Sequence, residues 1–292
     1  MIDRITQIHD ANDPRIRVFC SQRDAWLRAA HNPDVSSEAD EDQHQGLFMG
    51  EGSLVVEHLI ESPYSIESVL VGTNRIGALG GLLGRVPGSV PIYCADQPML
   101  ESIVGFPMHR GLLACGRRLP TDSLDALIVS CRVLVVLEDL ANHDNIGSVF
   151  RSAACLVGEG VGVVLSPRCC DPLYRKALRV SMGHALRIPF AVMDDWPGGL
   201  RRLSAAGFRV VAMSPGQESE DICDYRGQPG ERLALLLGAE GPGLSTDALA
   251  NADKRVRIEQ ARNTDSLNIS VACAVGLHRL VQADPQWGCD DR

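Results

Sequence analysis

The sequence predicts an α/β protein in two parts, the second built on a parallel sheet. Three observations carry that expectation. A chain of 292 residues is too long for one small core and suits two domains. Short Val- and Leu-rich runs, such as Val133–Leu137 and Leu233–Leu237, alternate with helical patterns. Apolar runs of this kind are buried on both faces, as the strands of a parallel sheet must be. Turns rich in Gly, Asn and Ser follow several of these runs, and such sheets bind ligands beyond the carboxyl ends of their strands.

Each element can be justified in order. Residues 1–30 carry two short helical patterns, Ile2, Ile5 and Ile8, then Val18, Ala25, Trp26 and Ala29, broken at Asn12-Asp13-Pro14. Residues 32–45 read as a mobile acidic loop. From Leu47 strand and helix alternate: a strand at Leu47-Phe48-Met49, then a helix capped by Ser53 and running through Leu59. Strands follow over 66–71, 90–94 and 111–115, with helices over 75–83 and 99–104. The resulting assignment is 1–45 as an N-terminal helical segment with acidic loop, 46–118 as a compact α/β domain, 119–130 as linker and 131–292 as the second domain. Within that last domain strands are expected at 133–137, 161–165, 188–193, 210–213 and 233–237. Helices are expected at 146–157 and 173–180, with a long terminal one at 267–281. Gly158, Gly160 and Gly162 precede a strand, so they mark a turn; a dinucleotide fingerprint needs strand, glycines, then helix.

Composition narrows the function. With 28 basic and 37 acidic side chains the net charge is −9, which counts against nucleic-acid binding unless the charge is unevenly spread. It is uneven. Asp34, Glu38, Asp40, Glu41 and Asp42 form an acidic patch, and basic clusters occur at His109-Arg110, Arg117-Arg118, Arg175-Lys176-Arg179 and Arg201-Arg202. Taken singly, each basic cluster reads as a solvated face. The ten cysteines include no Cys-x-x-Cys, and Cys155 and Cys273 fall within apolar helical patterns, so buried thiols are expected and no metal site. No run approaches a membrane span, and Met1-Ile2-Asp3-Arg4 does not open a secretory signal, so a reduced cytoplasmic protein is expected.

Three blocks carry candidate chemistry. Asn145-Ile146-Gly147-Ser148-Val149-Phe150-Arg151 opens a helix, with Asn145 at the N-cap and Arg151 one to two turns in. Leu237-Gly238-Ala239-Glu240-Gly241-Pro242-Gly243-Leu244-Ser245 ends an apolar strand in a shaped turn, with Ser245 capping the next helix. No Lys-Ser/Thr follows it, so it is not a phosphate-binding loop. It reads either as an adenosine site built from main-chain groups or as a plain strand-to-helix turn. In the third block Ser266 stands near the N-cap of the last helix, with Asn268 one turn inside, among Leu267, Ile269 and Val271.

Asn-x-Gly-x-x-x-Arg, then Leu-Gly-Ala-Glu-Gly-x-Gly, then Ser-Leu-Asn-Ile-Ser-Val-Ala resembles the SpoU (TrmH-type) RNA ribose 2′-O-methyltransferases, in the SPOUT class of S-adenosylmethionine enzymes. The resemblance covers residues 130–283. It implies a parallel-sheet SPOUT domain with a C-terminal trefoil knot, preceded by a small L30e-like α/β substrate-binding domain. Phe48-x-x-Glu51-Gly52 and His109-Arg110-Gly111-Leu112-Leu113-Ala114 carry the likeness of that first domain. It further implies a homodimer, structured RNA (rRNA or tRNA) as substrate, S-adenosylmethionine as cofactor, and no need for a metal or a membrane. Gly238, Ile258, Leu267, Ser266 and Met213 fall to the cofactor, and Arg151, Asn145, Glu240 and Asn268 to catalysis. The RNA contacts would be Arg110, Arg117, Arg118 and Arg175. Arg151, serving the neighbouring subunit's site, would bind the target phosphate or stabilise the developing alkoxide, because an arginine pKa of about 12.5 makes a poor base. Ser181 also matches a family segment, with packing its commoner explanation. The chain departs from the family at Asn142-His143-Asp144-Asn145, where Asp-Pro-x-Asn is frequent, and at Ile258-Glu259-Gln260, where Ile-Pro-Met is frequent. A non-catalytic RNA-binding relative is the alternative, and a small-molecule methyltransferase a third reading that leaves the first domain idle.

Overall fold

The computed structural model describes residues 4–20, 24–28, 46–108, 110–216, 218–227, 230–261 and 266–281. Ile2, Ala29, the acidic patch and His109 lie outside them. The chain divides into two compact units, residues 1–120 with 173–187, and residues 121–172 with 188–292. Two boundaries therefore differ from the sequence assignment. The stretch 119–130 contains a helix belonging to the second unit, and 173–187 leaves the span 131–292 to join the first.

In the first unit the strands are β1 (Ile5–Gln7), β2 (Leu47–Glu51), β3 (Ile66–Gly72), β4 (Ile92–Ala95) and β5 (Leu112–Arg117), in the order β1-β4-β3-β5-β2. β1 and β3 flank β4 in parallel, whereas β5 runs antiparallel to both β3 and β2. Ile5 and Ile8 thus belong to an extended edge and not to a helix. Ile5 pairs with Ile92, and the Ile8 amide donates to the Cys94 carbonyl at 2.8 Å. β-Branched residues favour this arrangement wherever a neighbouring strand offers a free edge. After the short α1 (Asp24–Leu27), the helices are α2 (Ser53–Glu61), α3 (Ile76–Arg85) and α4 (Gln97–Val104). The N-cap of α2 is Gly52 at φ 96°, so Ser53 is its first residue and does not cap it. For α4 the caps are as the chemistry demands: Asp96 accepts from the Met99 amide, and Gly105 ends the helix at φ 77°. Ile16, Leu27, Met49, Leu70 and Leu100 belong to its core.

The second unit holds α5 (Leu124–Ser130), β6 (Val133–Leu137), α6 (His143–Leu156), β7 (Val161–Leu165), β8 (Phe190–Val192), α8 (Leu200–Ala205), β9 (Phe208–Met213), β10 (Glu220–Asp221), β11 (Arg232–Leu237), α9 (Thr246–Ala250), β12 (Lys254–Arg257) and α10 (Ile269–Val281). Between them in sequence, α7 (Arg175–Val180) packs on β2 of the first unit. The sheet order is β10-β12-β9-β11-β6-β7-β8, with every pair parallel. β6, β7 and the last five residues of β11 are buried throughout, as two-sided cover requires. Leu124 and Leu127 of α5, Leu200 and Leu203 of α8, and Ala248 of α9 close one face over Leu134, Val136, Val210 and Leu236. α6 and α10 pack against each other and cover the other face. There α10 comes close through Gly276, where a Cβ would stand 2.7 Å from the Met213 sulfur. Cys273 is buried as expected, but Cys155 is exposed. Ser181 is fully buried and its hydroxyl donates to the Leu178 carbonyl, a packing role. Among the described residues no helix is long and apolar enough to cross a membrane.

Candidate active site

The turns that follow β9, β11 and β12 open at one edge of the second unit's sheet, and together with the start of α10 they line a cavity of about 600 Å³. The turn after β11 is shaped by its glycines. A Cβ on Gly238 would stand 2.3 Å from the Gly243 carbonyl carbon, because the loop folds directly back over it. Ala239 and Gly243 form a bridge, and Gly241 and Gly243 take φ of 87° and 72°, conformations open to glycine. Ser245 then caps α9, its hydroxyl accepting from the Ala248 amide at 3.1 Å.

Beside this turn, three polar side chains from three separate parts of the chain converge. The Asn145 amide donates to Glu240 Oε1 at 2.6 Å, and Asn268 Nδ2 reaches both Glu240 Oε1 and Asn145 Oδ1 at 3.0 Å. Asn268 Oδ1 in turn accepts from the Ser270 amide at 2.8 Å and the Ser270 hydroxyl at 2.6 Å. Asn145 is only 5% exposed, so its amide depends on these partners. Two helix starts are thereby corrected. α6 begins two residues before Asn145, and Asn142 is its N-cap, accepting from the Asp144 amide at 2.8 Å. Asn268, rather than Ser266, stands at the head of α10 and is not one turn inside it. In both cases two cap-competent residues lie within three positions, and packing selects between them.

The β6–α6 turn itself is held by charge. Asp139 has φ 53°, a costly conformation for a non-glycine residue. The Ser166 hydroxyl both accepts from the Asp139 amide and donates to its carboxylate, at 2.8 Å each. The Arg168 guanidinium, in direct ion pair, holds the Asp139 carboxyl below its ordinary range. Cys169 lies beside them, its thiol raised by burial.

All five residues assigned to the cofactor, Met213, Gly238, Ile258, Ser266 and Leu267, line the cavity, as do Glu240 and Asn268. Asn145 joins through its hydrogen bonds. Arg151 does not line it. Six residues beyond Asn145 it lies about 9 Å further along α6 and on a different side of the helix, exposed and without a hydrogen bond or ion pair among the described residues. Ser214, Pro215 and Arg257 also line the cavity without having been assigned to the site; they end β12 or open the turn after β9, the signal that could have found them. Among the described residues no three His, Cys, Asp or Glu side chains group as a metal site.

The arginines assigned to RNA have different surroundings. Arg117 pairs with Glu67 at 2.7 Å, Arg118 donates to the Leu47 carbonyl at 3.1 Å, and Arg175 stacks over the Phe106 ring at 4.4 Å. Arg110 is exposed and without such a bond among the described residues, lying against Gly52 at the start of α2. The Arg201-Arg202 cluster is paired, with Asn251 and with Asp125.

Known proteins resemble this chain in sequence and in fold. The model of the SpoU rRNA methylase family matches residues 132–278. An uncharacterised tRNA/rRNA methyltransferase of Mycobacterium bovis is 37% identical over 285 residues, 97% of this chain and 94% of that one. A 23S rRNA (guanosine-2′-O-)-methyltransferase of Acinetobacter baylyi is 28% identical over 237 residues, 74% of this chain and 93% of its own. The crystal structure of an AdoMet-bound rRNA methyltransferase from Sinorhizobium meliloti shares the fold with a TM-score of 0.73 at 21% identity, covering 96% of this chain and 98% of that one. The chain belongs to the SpoU rRNA methylase family.

Proposed function

We propose that this protein transfers a methyl group from S-adenosylmethionine to a ribose 2′-hydroxyl of structured RNA, rRNA or tRNA. The observation that carries the reading is the hydrogen-bonded cluster Asn145–Glu240–Asn268, which joins three distant motifs at the side of the cavity. The cavity suits the donor. Its size lies within the range for small-molecule sites. Leu237, Val256, Ile258 and Ile269 offer an apolar surface for a base, and the peptide groups of the Gly238–Gly243 turn offer donors and acceptors for its edges. Among the described residues Glu240 and Arg257 are the charged ones of the lining, a set that does not resemble a phosphate site.

When bound, the donor supplies an electrophilic methyl on a sulfonium. The chain's own groups have three tasks. Gly238, Ile258 and Leu267, with Met213 and Ser266, hold the donor. Asn145, Glu240 and Asn268 orient the ribose, their geometry fixed in advance by mutual hydrogen bonds. Arg151, a permanent cation, stabilises the alkoxide that develops as the hydroxyl passes its proton to water, or grips the adjacent phosphate.

Arg151 stands away from the cavity of its own chain, which favours a homodimer in which it serves the partner's site. Leu267, Val271 and Val275 form a stripe along and just before α10 that stays exposed, Val271 at 47%, and an apolar stripe of this spacing suits burial against a second copy. In the first unit, read as an L30e-like substrate-binding domain, Arg110 and its exposed neighbour Arg75 pack beside Gly52 and Gly111 and are free to meet phosphates. A C-terminal trefoil knot, in which the last helix tucks through a loop, and work in the cytoplasm complete the reading. The alternative of a non-catalytic relative loses its main argument, since Asn142 caps α6 where the family's proline turn is missing. Incubating the purified protein with radiolabelled S-adenosylmethionine and RNA from a deletion strain, then mapping the product, tests the proposal. Label at one ribose 2′-oxygen is expected; label on a base, or none on any RNA, would refute it.

A further inference from the structure

The turn that floors the cavity ends on Ser245, and Ser245 is held by a residue outside the lining. Glu138 directly follows β6 and is 4% exposed. Its Oε2 accepts from the Ser245 amide at 2.8 Å, and its Oε1 accepts from the Ser245 hydroxyl at 2.6 Å. The same Oε1 accepts from the Trp196 indole at 2.9 Å. The Glu138 amide donates to the Leu237 carbonyl, the last residue before the turn, at 2.9 Å. One residue thus grips the Gly238–Leu244 turn from both of its ends and ties it to the segment after β8.

Two features make this more than packing. Glu138 forms no direct ion pair among the described residues: the Arg168 guanidinium acts on it only at a distance, and neutral donors make all three hydrogen bonds to the buried carboxylate. That is a costly arrangement which an apolar residue at a strand end would avoid. The turn it grips is rich in glycine, with positive φ at Gly241 and Gly243, and would otherwise sample many conformations. Its peptide groups are of use to a ligand only when fixed.

We infer that Glu138 is a positioning residue for the methyl donor, acting through Ser245 to fix the Gly238–Leu244 turn in its binding conformation. The inference rests on the cofactor reading above. A glutamine at this position keeps the shape but turns one acceptor into a donor, which must then face the Ser245 amide or the Trp196 indole. One of the three hydrogen bonds is lost with little change in volume.

Calorimetric titration of S-adenosylmethionine into the full-length wild type, E138Q, S245A and the double variant tests it, with methyl transfer measured at saturating donor. E138Q should weaken donor binding by roughly tenfold, the loss of one hydrogen bond to a charged group, and S245A by at least as much, since it also removes the cap of α9. Because both break the same link, the double variant should bind within about threefold of the weaker single one. KM for the donor should rise in step while kcat stays within about threefold of wild type. Wild-type affinity in E138Q, additive losses in the double variant, or a fall in kcat at unchanged affinity would overturn the inference. If E138Q does not fold, S245A decides alone, since Ser245 is exposed: weakened binding supports the link, and unchanged binding refutes it. Failure of the wild type itself to bind the donor would instead strike the cofactor reading.

Discussion

In the second unit every strand pair is parallel, so the turns after β6, β9, β11 and β12 all leave at the same edge; in the first, β5 runs against both β3 and β2, and strand ends divide between two edges. The consequence shows in the polar residues. The parallel sheet brings Asn145 and Asn268, 123 positions apart, within 3.0 Å, and gives their amides a shared carboxylate. Among the described residues the mixed sheet gathers no such cluster at its strand ends: Arg117 pairs with Glu67, while Arg110 and Arg75 stand exposed beside glycines. A closed, mutually satisfied cluster suits the fixed geometry of a reaction, and exposed cations suit a polyanion that binds through its backbone.

That contrast can be broken in order of expected effect. Replacing Arg151 by Ala should lower methyl transfer by about a thousandfold or more while donor affinity stays within about twofold, since its proposed task falls on the ribose oxygen or its phosphate and not on the donor. Calorimetry alongside transfer rates would show this, and turnover above a tenth of wild type would remove Arg151 from the reaction. Gly238→Ala forces a Cβ into the Gly243 backbone, an overlap of the kind that costs about 1–3 kcal/mol. Donor binding should fall by about tenfold or more, and an unchanged affinity would mean that the turn does not hold the donor.

Smaller effects sharpen the picture of the first unit. Arg110→Ala should weaken RNA binding similarly for all sequences and reduce the slope of log affinity against log salt by about one. Arg117→Ala should change that slope less, because Glu67 already compensates its charge; equal slopes would erase the distinction drawn between them. Least of all, burial pushes the thiols of Cys115 and Cys273, one in each unit, up to about 12. The unfolded chain ionises these groups first, so stability should decline as pH rises from about 9 towards 12. Alkaline denaturation of C115A and C273A should lose part of that slope; a wild-type slope in both would place its origin elsewhere.

Much of this architecture is legible in the sequence wherever burial leaves one solution. β6, β7 and β11 beyond Arg232 are free of polar side chains, and motif turns follow β6 and β11. The cavity residues were readable for the same reason, since Gly238, Ile258 and Leu267 mark where strands stop and a helix starts. What was hidden is either short or distant. Three residues of β1 carry too little pattern to oppose the helical spacing of Ile2, Ile5 and Ile8, and only a free edge on β4 settles the matter. α5 and α8 are too brief for periodicity to separate them from a linker or a basic patch. The bond between Glu138 and Trp196 spans 58 positions, and nothing local in either segment announces it.

The central claim is that separated motifs of the second unit assemble into one donor site. A crystal structure of the protein grown with S-adenosylmethionine tests it most directly. The account predicts the adenosine against the peptide groups of Gly238, Ile258 and Leu267, with the methyl group facing the Asn145–Glu240–Asn268 cluster. Density for the donor anywhere else, or an empty pocket at millimolar donor, would contradict it.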